Sequence, residues 1–134
     1  MKYILLYLLA AVVFFAIDML WLGLIAKDFY REKLAFVLSD NTNWTAAVVF
    51  YLLYIGGILY FATVPGLRAS DWQLALLNGA LFGFFCYATY DLTNMATIKE
   101  WPLIIVIVDI IWGTVLTGSV AIAGYWLGRK LLGF

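Results

Sequence analysis

Four apolar stretches dominate this chain, and each is long enough to cross a bilayer. Spanning the hydrocarbon as a helix takes about 20 mostly apolar residues, and residues 3–26, 44–64, 73–96 and 102–128 meet that test. Hydrophobic residues make up 66% of the chain and charged ones 12%, against roughly 25% charged in soluble domains. Too few polar groups remain to cover a globular surface, so the outer face must be built for lipid. The expected fold is all-α: an integral membrane, up-and-down four-helix bundle, with residues 1–134 forming a single transmembrane domain.

The breaks between the stretches have physical causes. Pro65-Gly66 predicts the end of the second helix, with Arg68, Ser70 and Asp71 keeping the turn in water. Lys99-Glu100 marks the third turn, and Pro102 suits the first position of the fourth helix, where no amide hydrogen is needed. Trp44, Trp72, Trp101 and Trp126 fall at helix ends, the depth an amphipathic ring prefers. The two short connections make successive helices antiparallel neighbours. In the longer first connection, residues 27–39, Tyr30, Leu34, Val37 and Leu38 recur at helical spacing opposite Lys27, Asp28, Arg31 and Glu32. That pattern fits a helix lying on the membrane surface, and equally a prolongation of the first helix beyond the bilayer. The apolar run after Lys2 is too long for a secretory signal core. Gly79 with Gly83, and Gly124 with Gly128, have the GxxxG spacing of close helix crossings, expected inside the bundle rather than at a dimer seam.

Charge narrows the function classes. The formal net charge is zero and there is no basic run, which argues against nucleic acid as a partner. The chain has no histidine, so zinc, copper and serine–histidine chemistry lose their usual groups. Cys86 is the single cysteine and cannot form an intrachain disulfide. No motif names a cofactor. Lys2, Arg68, Arg129 and Lys130 fall on the terminal side, and Lys27, Arg31, Lys33 and Lys99 on the other. The excess of Lys and Arg that orients membrane proteins is therefore missing. Such a tie also suits chains that insert both ways and pair as an antiparallel homodimer.

The polar residues that remain are concentrated. Asp18, Asp91 and Asp109 lie within the predicted helices. An ionised carboxylate at the bilayer centre costs at least about 2.5–3.5 kcal/mol, so such acids face the bundle interior. At 1.5 Å per residue, Asp18 lies about 5 Å from the middle of its helix, towards the first loop. Asp91 and Asp109 lie about 10 Å and about 7–8 Å from theirs, towards the third loop. The first and third loops share one membrane face, which puts all three carboxyls in one leaflet. Tyr87, Tyr90, Asp91 and Asn94 fall at i, i+3, i+4 and i+7, one stripe of the third helix. Tyr51 and Tyr54 lie near the middle of the second helix. Trp21 is one turn from Asp18, and Trp112 one turn from Asp109. Asn78 and Gln73, in the other half of the third helix, are expected to be interfacial or to bridge helices.

Two readings compete for the acids. As neutral hydrogen-bonding groups they would hold helices together, at about 0.6–2 kcal/mol per bond. As a site, Asp18, Trp21, Tyr51, Tyr54, Tyr87, Tyr90, Asp91, Asn94, Asp109 and Trp112 would line a ligand-binding pocket with Asp91 at its centre. Convergence of three acids and an aromatic ring of neighbours in one leaflet favours the pocket. Carboxylates with tyrosine and tryptophan faces suit a small polar, cationic or lipid-headgroup ligand, bound or carried across the membrane. The first alternative is a lipid-modifying enzyme, with Asp91 and Asp109 as general base and acid, or with Asn94 around a magnesium ion. No phosphotransferase or desaturase signature accompanies it. The second alternative is a helper subunit of a membrane complex, whose polar face a partner completes.

The motifs Asp18-x-x-Trp21-Leu22-Gly23, Asp28-Phe29-Tyr30 and Phe50-Tyr51-x-x-Tyr54 lead to a strong run from Tyr87 to Asn94, Tyr-Ala-Thr-Tyr-Asp-Leu-Thr-Asn. Trp101-Pro102 and Val108-Asp109-x-x-Trp112-Gly113 follow. Together they resemble a family of small four-helix bacterial membrane proteins, domain of unknown function 2177. The resemblance implies four membrane helices and a multi-pass protein of the bacterial inner membrane. It implies no activity.

Overall fold

The computed structural model describes all residues, 1–134, and contains helices and no strands. Four long helices, α1 (Lys2–Ile25), α3 (Trp44–Ala69), α4 (Trp72–Thr97) and α5 (Leu103–Leu131), run up and down, with a short α2 (Lys27–Lys33) between the first two. The chain ends meet: Lys2 Nζ donates to the Gly133 carbonyl at 3.2 Å, and the Tyr3 and Phe134 rings lie 5.3 Å apart. Only 30 of 134 residues are buried, while leucines, isoleucines and phenylalanines cover the outside. That inside-out distribution is what a lipid solvent requires. By length and composition α1, α3 and α5 can cross a membrane. Helix α4 is as long, 26 residues, but its polar residues, Asp91 and Asn94 among them, make it less apolar.

The core runs along α5. Leu6, Ala10 and Phe14 of α1 and Ile55, Ile58, Leu59 and Ala62 of α3 pack with Leu116, Val120, Ala121 and Tyr125 of α5. The closest pair is α4 and α5, which are joined by a short turn and packed along much of their length. Their seam advances in matched steps of four residues. Gly79 lies against Ala121 and Thr117, Gly83 against Thr117 and the Gly113 carbonyl, and Tyr87 lies with its ring on Gly113. The next step places Asp91 opposite Asp109. Gly124 and Gly128 instead admit Thr63 and Leu67 of α3. Both glycine pairs thus serve packing within the bundle.

Several helix ends differ from the expectation drawn from sequence. Pro65-Gly66 does not stop the second helix, which continues to Ala69 through a wider π-turn at Leu59–Thr63. Pro65 has no N–H to return to the carbonyl one turn back, at Phe61. Asn78 Nδ2 of α4 donates to that carbonyl at 3.1 Å, so the break that proline would cause is repaired across helices. The helix ends instead at Ser70, in the left-handed conformation (φ 53°), and Asp71 then caps α4 through Gln73 N (2.9 Å) and Leu74 N (3.2 Å). Pro102 is the N-cap of α5 rather than its first helical residue. The first connection does not prolong α1. A second π-turn, Trp21–Ile25, ends with Ala26 N bonded to the Trp21 carbonyl (2.7 Å), and Ala26 breaks the helix before α2. Residues 38–43 are then non-helical up to Asn43, whose side chain caps α3.

A side chain at Gly83 would collide with the Gly113 carbonyl and approach Thr117 Oγ1 to 2.6 Å, whereas nothing lies within 4 Å at Gly23. Gly83→Leu should therefore cost about 1–3 kcal/mol through overpacking. In detergent its melting temperature should drop clearly while Gly23→Ala stays near the parent. Equal melting temperatures for both variants would contradict the α4–α5 seam described here.

Candidate functional site

A half-enclosed cavity of about 460 Å³ opens at the end of the bundle that carries α2 and the α4–α5 turn. Every long helix contributes. Asp18, Trp21 and Phe14 come from α1, Tyr51 and Tyr54 from α3, Tyr87 and Tyr90 from α4, and Trp101, Asp109 and Trp112 from the start of α5 and the turn before it. Tyr30 and Leu34, from α2 and the turn that follows it, close the wall. The volume is within the roughly 300–1,000 Å³ usual for small-molecule sites.

Spacing explains the placement. Leu6, Ala10, Phe14 and Asp18 are the buried residues of α1, one every four positions, so Asp18 is the last member of a core stripe. Asp109 is one turn from Gly113, on the face of α5 that meets α4. Trp21 follows Asp18 by three residues in regular helical phase, its N–H still bonded to the Ile17 carbonyl, and the π-turn widens the chain after it; such turns recur at functional sites. Trp21 and Trp112 stack with centroids 4.5 Å apart and planes at 11°. This stack joins α1 to α5 between the two cavity acids.

Each cavity acid has a tyrosine. Tyr51 OH donates to Asp18 Oδ2 at 3.2 Å, and Tyr30 OH to Asp109 Oδ1 at 2.5 Å. Trp21 Nε1 donates in turn to the Tyr30 oxygen at 3.2 Å. Burial first, and then the Asp109 carboxyl, hold the Tyr30 phenol well above its ordinary pKa, so it remains a donor at physiological pH. Deeper in the bundle Tyr54 OH and Thr117 Oγ1 are 2.6 Å apart. The indole nitrogen of Trp112 lies beside Asp18 and that of Trp101 beside Asp91, yet neither has the geometry of a hydrogen bond.

Eight of the ten residues singled out from the sequence line this cavity: Asp18, Trp21, Tyr51, Tyr54, Tyr87, Tyr90, Asp109 and Trp112. Asp91 and Asn94 do not. Asp91 is fully buried behind Asp109, within hydrogen-bond reach of its carboxyl, and both Asp91 oxygens lack a hydrogen-bond donor. Asp109 is thus the member of this pair that reaches the cavity, and Asp91 lies behind it in the seam. Asn94 lies one turn further along α4, beside Tyr90. Tyr30, which spacing puts on the apolar face of residues 27–39, reaches Asp109, a contact that spacing does not reveal. Its place in the Asp28-Phe29-Tyr30 motif was the available signal. Trp101, expected only as an interfacial ring at a helix end, and Phe14, which no motif marks, also line it.

Fold and site together define a helical membrane bundle with an acidic cavity walled by aromatic rings. Residues 3–126 match the model of the family described as "Predicted membrane protein (DUF2177)", and the chain belongs to that family. Nothing among curated proteins or solved structures matches it.

The Tyr30 hydroxyl is the one side-chain hydrogen bond that ties α2 to the bundle acids. Tyr30→Phe leaves Asp109 without that donor and Trp21 without an acceptor, a loss of about 1–3 kcal/mol. Amide exchange over 27–34 should speed up while that of α4 and α5 changes little. Unchanged protection in α2 would mean that the contact does not hold it.

Proposed function

We propose that this protein crosses the bacterial inner membrane four times and binds an organic cation, of alkylammonium type, in the cavity between Asp18 and Asp109. What carries the reading is the pairing of two buried carboxyls with a wall of indole and phenol rings. Carboxylates offset the positive charge, ring faces attract it at about 0.5–2 kcal/mol per contact, and the remaining wall accepts apolar substituents. Tyr30 and Tyr51 each donate to one acid and fix its orientation. Asp18, Asp91 and Asp109 lie at one end of the bundle, which favours entry from one side. A small ammonium ion from water and an amine-bearing lipid headgroup share this chemistry. Transport would require access from the other end of the bundle as well, and catalysis would use Asp109 as an acid or base on a bound lipid. Binding is therefore the central activity here, with carrier and enzyme behaviour as elaborations of it.

Benzyltrimethylammonium chloride is a suitable probe, since it joins a fixed positive charge to an apolar ring. Titrated into the protein in a zwitterion-free detergent, it should quench the fluorescence of the Trp21–Trp112 pair saturably and give binding heat. Asp109→Asn should weaken binding at least about tenfold, the equivalent of about 1.4 kcal/mol. In nanodiscs, competition by phosphatidylethanolamine but not phosphatidylglycerol would identify a lipid headgroup as the natural source, and no competition a free amine. Absence of saturable binding in the parent protein would remove the cation reading altogether.

A further inference from the structure

We propose that Asp91 and Asp109 hold a single proton between them and release it when a cation enters the adjoining cavity. This rests on the reading of the cavity as a cation site and adds a coupling to it. The pair is defined by the α4–α5 seam: Gly79, Gly83 and Tyr87 match Ala121, Thr117 and Gly113 in steps of four, and the step after that sets Asp91 against Asp109. The carboxyls lie within hydrogen-bond reach of each other. Asp91 is 0% exposed and neither of its oxygens has a partner. Asp109 is 8% exposed, lines the cavity and accepts from Tyr30.

Two adjacent carboxylates in apolar surroundings cannot both carry a full negative charge; one shared proton relieves the repulsion and supplies the donor that Asp91 lacks. The groups facing the pair are Tyr30 from α2, Tyr90 from α4 and the Trp101 indole, with Tyr87 of α4 and Asp18 of α1 further along the cavity. No cationic side chain is among those acting on either carboxyl. Lys27, Arg31, Lys33 and Lys99 are all exposed. Since the protein offers no counter-cation, a ligand can fill that role. When a cation settles between Asp109 and Asp18, its charge replaces that of the proton, and the proton leaves to bulk water. One positive charge enters and one departs, so the net charge inside the bilayer is conserved. Asp91, out of the ligand's reach, acts as a positioning residue through Asp109.

The test uses the full chain in detergent with benzyltrimethylammonium as probe. Titration calorimetry in buffers of different ionisation enthalpy should report up to one proton released per cation bound. The apparent Kd should fall by about tenfold per pH unit over the range in which the pair is protonated. Asp91→Asn should retain binding, lose the proton release and flatten the pH dependence. Saturable binding without proton release in the parent, or release that persists in Asp91→Asn, would overturn the coupling while leaving the cation site intact. No binding in the parent would remove both. An infrared difference spectrum of the parent protein supplies a measurement independent of the variant's folding. The carbonyl stretch of a protonated carboxyl should disappear when the cation is added, and a spectrum in which that band stays would also overturn the coupling.

Discussion

Close contact between α4 and α5 is the interaction on which the rest depends. Lipid gives no hydrophobic incentive for two apolar helices to associate, so they hold together by close van der Waals packing and by hydrogen bonds. Here small residues supply the closeness. A Cβ at Gly79 would fall 2.5 Å from that of Ala121, and one at Gly83 would overlap the Gly113 carbonyl. With the backbones so near, the register is fixed to the residue, and a slip of one position would rotate Asp91 away from Asp109. The seam therefore does two things. It replaces the missing hydrophobic drive, and it sets two acids side by side at one end of the bundle.

A second constraint is that backbone groups within the bilayer need partners. Asn78 meets it at Phe61, where Pro65 cannot donate, and lets α3 continue past its proline. The two π-turns meet it differently, by moving hydrogen bonds one residue further along the chain. In α1 this happens over Trp21–Ile25, just past the Trp21–Trp112 stack, and the chain then leaves the helix at Ala26. Site geometry and backbone irregularity are thus the same feature. Helix α2 could not lay Tyr30 over Asp109 if α1 ran straight on.

Much of this was legible in the sequence, because length and hydropathy act locally. The long helices follow from apolar run length, and the acids had to face inward since lipid forbids the opposite. That Asp18, Asp91 and Asp109 share one end of the bundle followed from rise per residue alone. Phase was less accessible. Tyr87, Tyr90, Asp91 and Asn94 share one broad stripe, yet Tyr87 lines the cavity, Asp91 lies behind it and Tyr90 is 58% exposed. A stripe covers more than a hundred degrees of arc, and only the partner helix decides which edge is interior. Pro65 was misread because its repair comes from Asn78, thirteen positions away on another helix. The Tyr30 contact was hidden for the same reason: its partner Asp109 is 79 residues distant, and amphipathic spacing cannot reveal so remote a bond.

Crystals grown with 4-bromobenzyltrimethylammonium, whose bromine scatters anomalously, would show whether the aromatic cavity receives a cation against Asp109 and Asp18. One dominant anomalous peak is expected inside the cavity, near the Trp21–Trp112 stack, with the ammonium group directed at the carboxyls of Asp109 and Asp18. A peak confined to the lipid-facing surface, or a cavity closed by collapsed side chains while the rest of the bundle is unchanged, would contradict it.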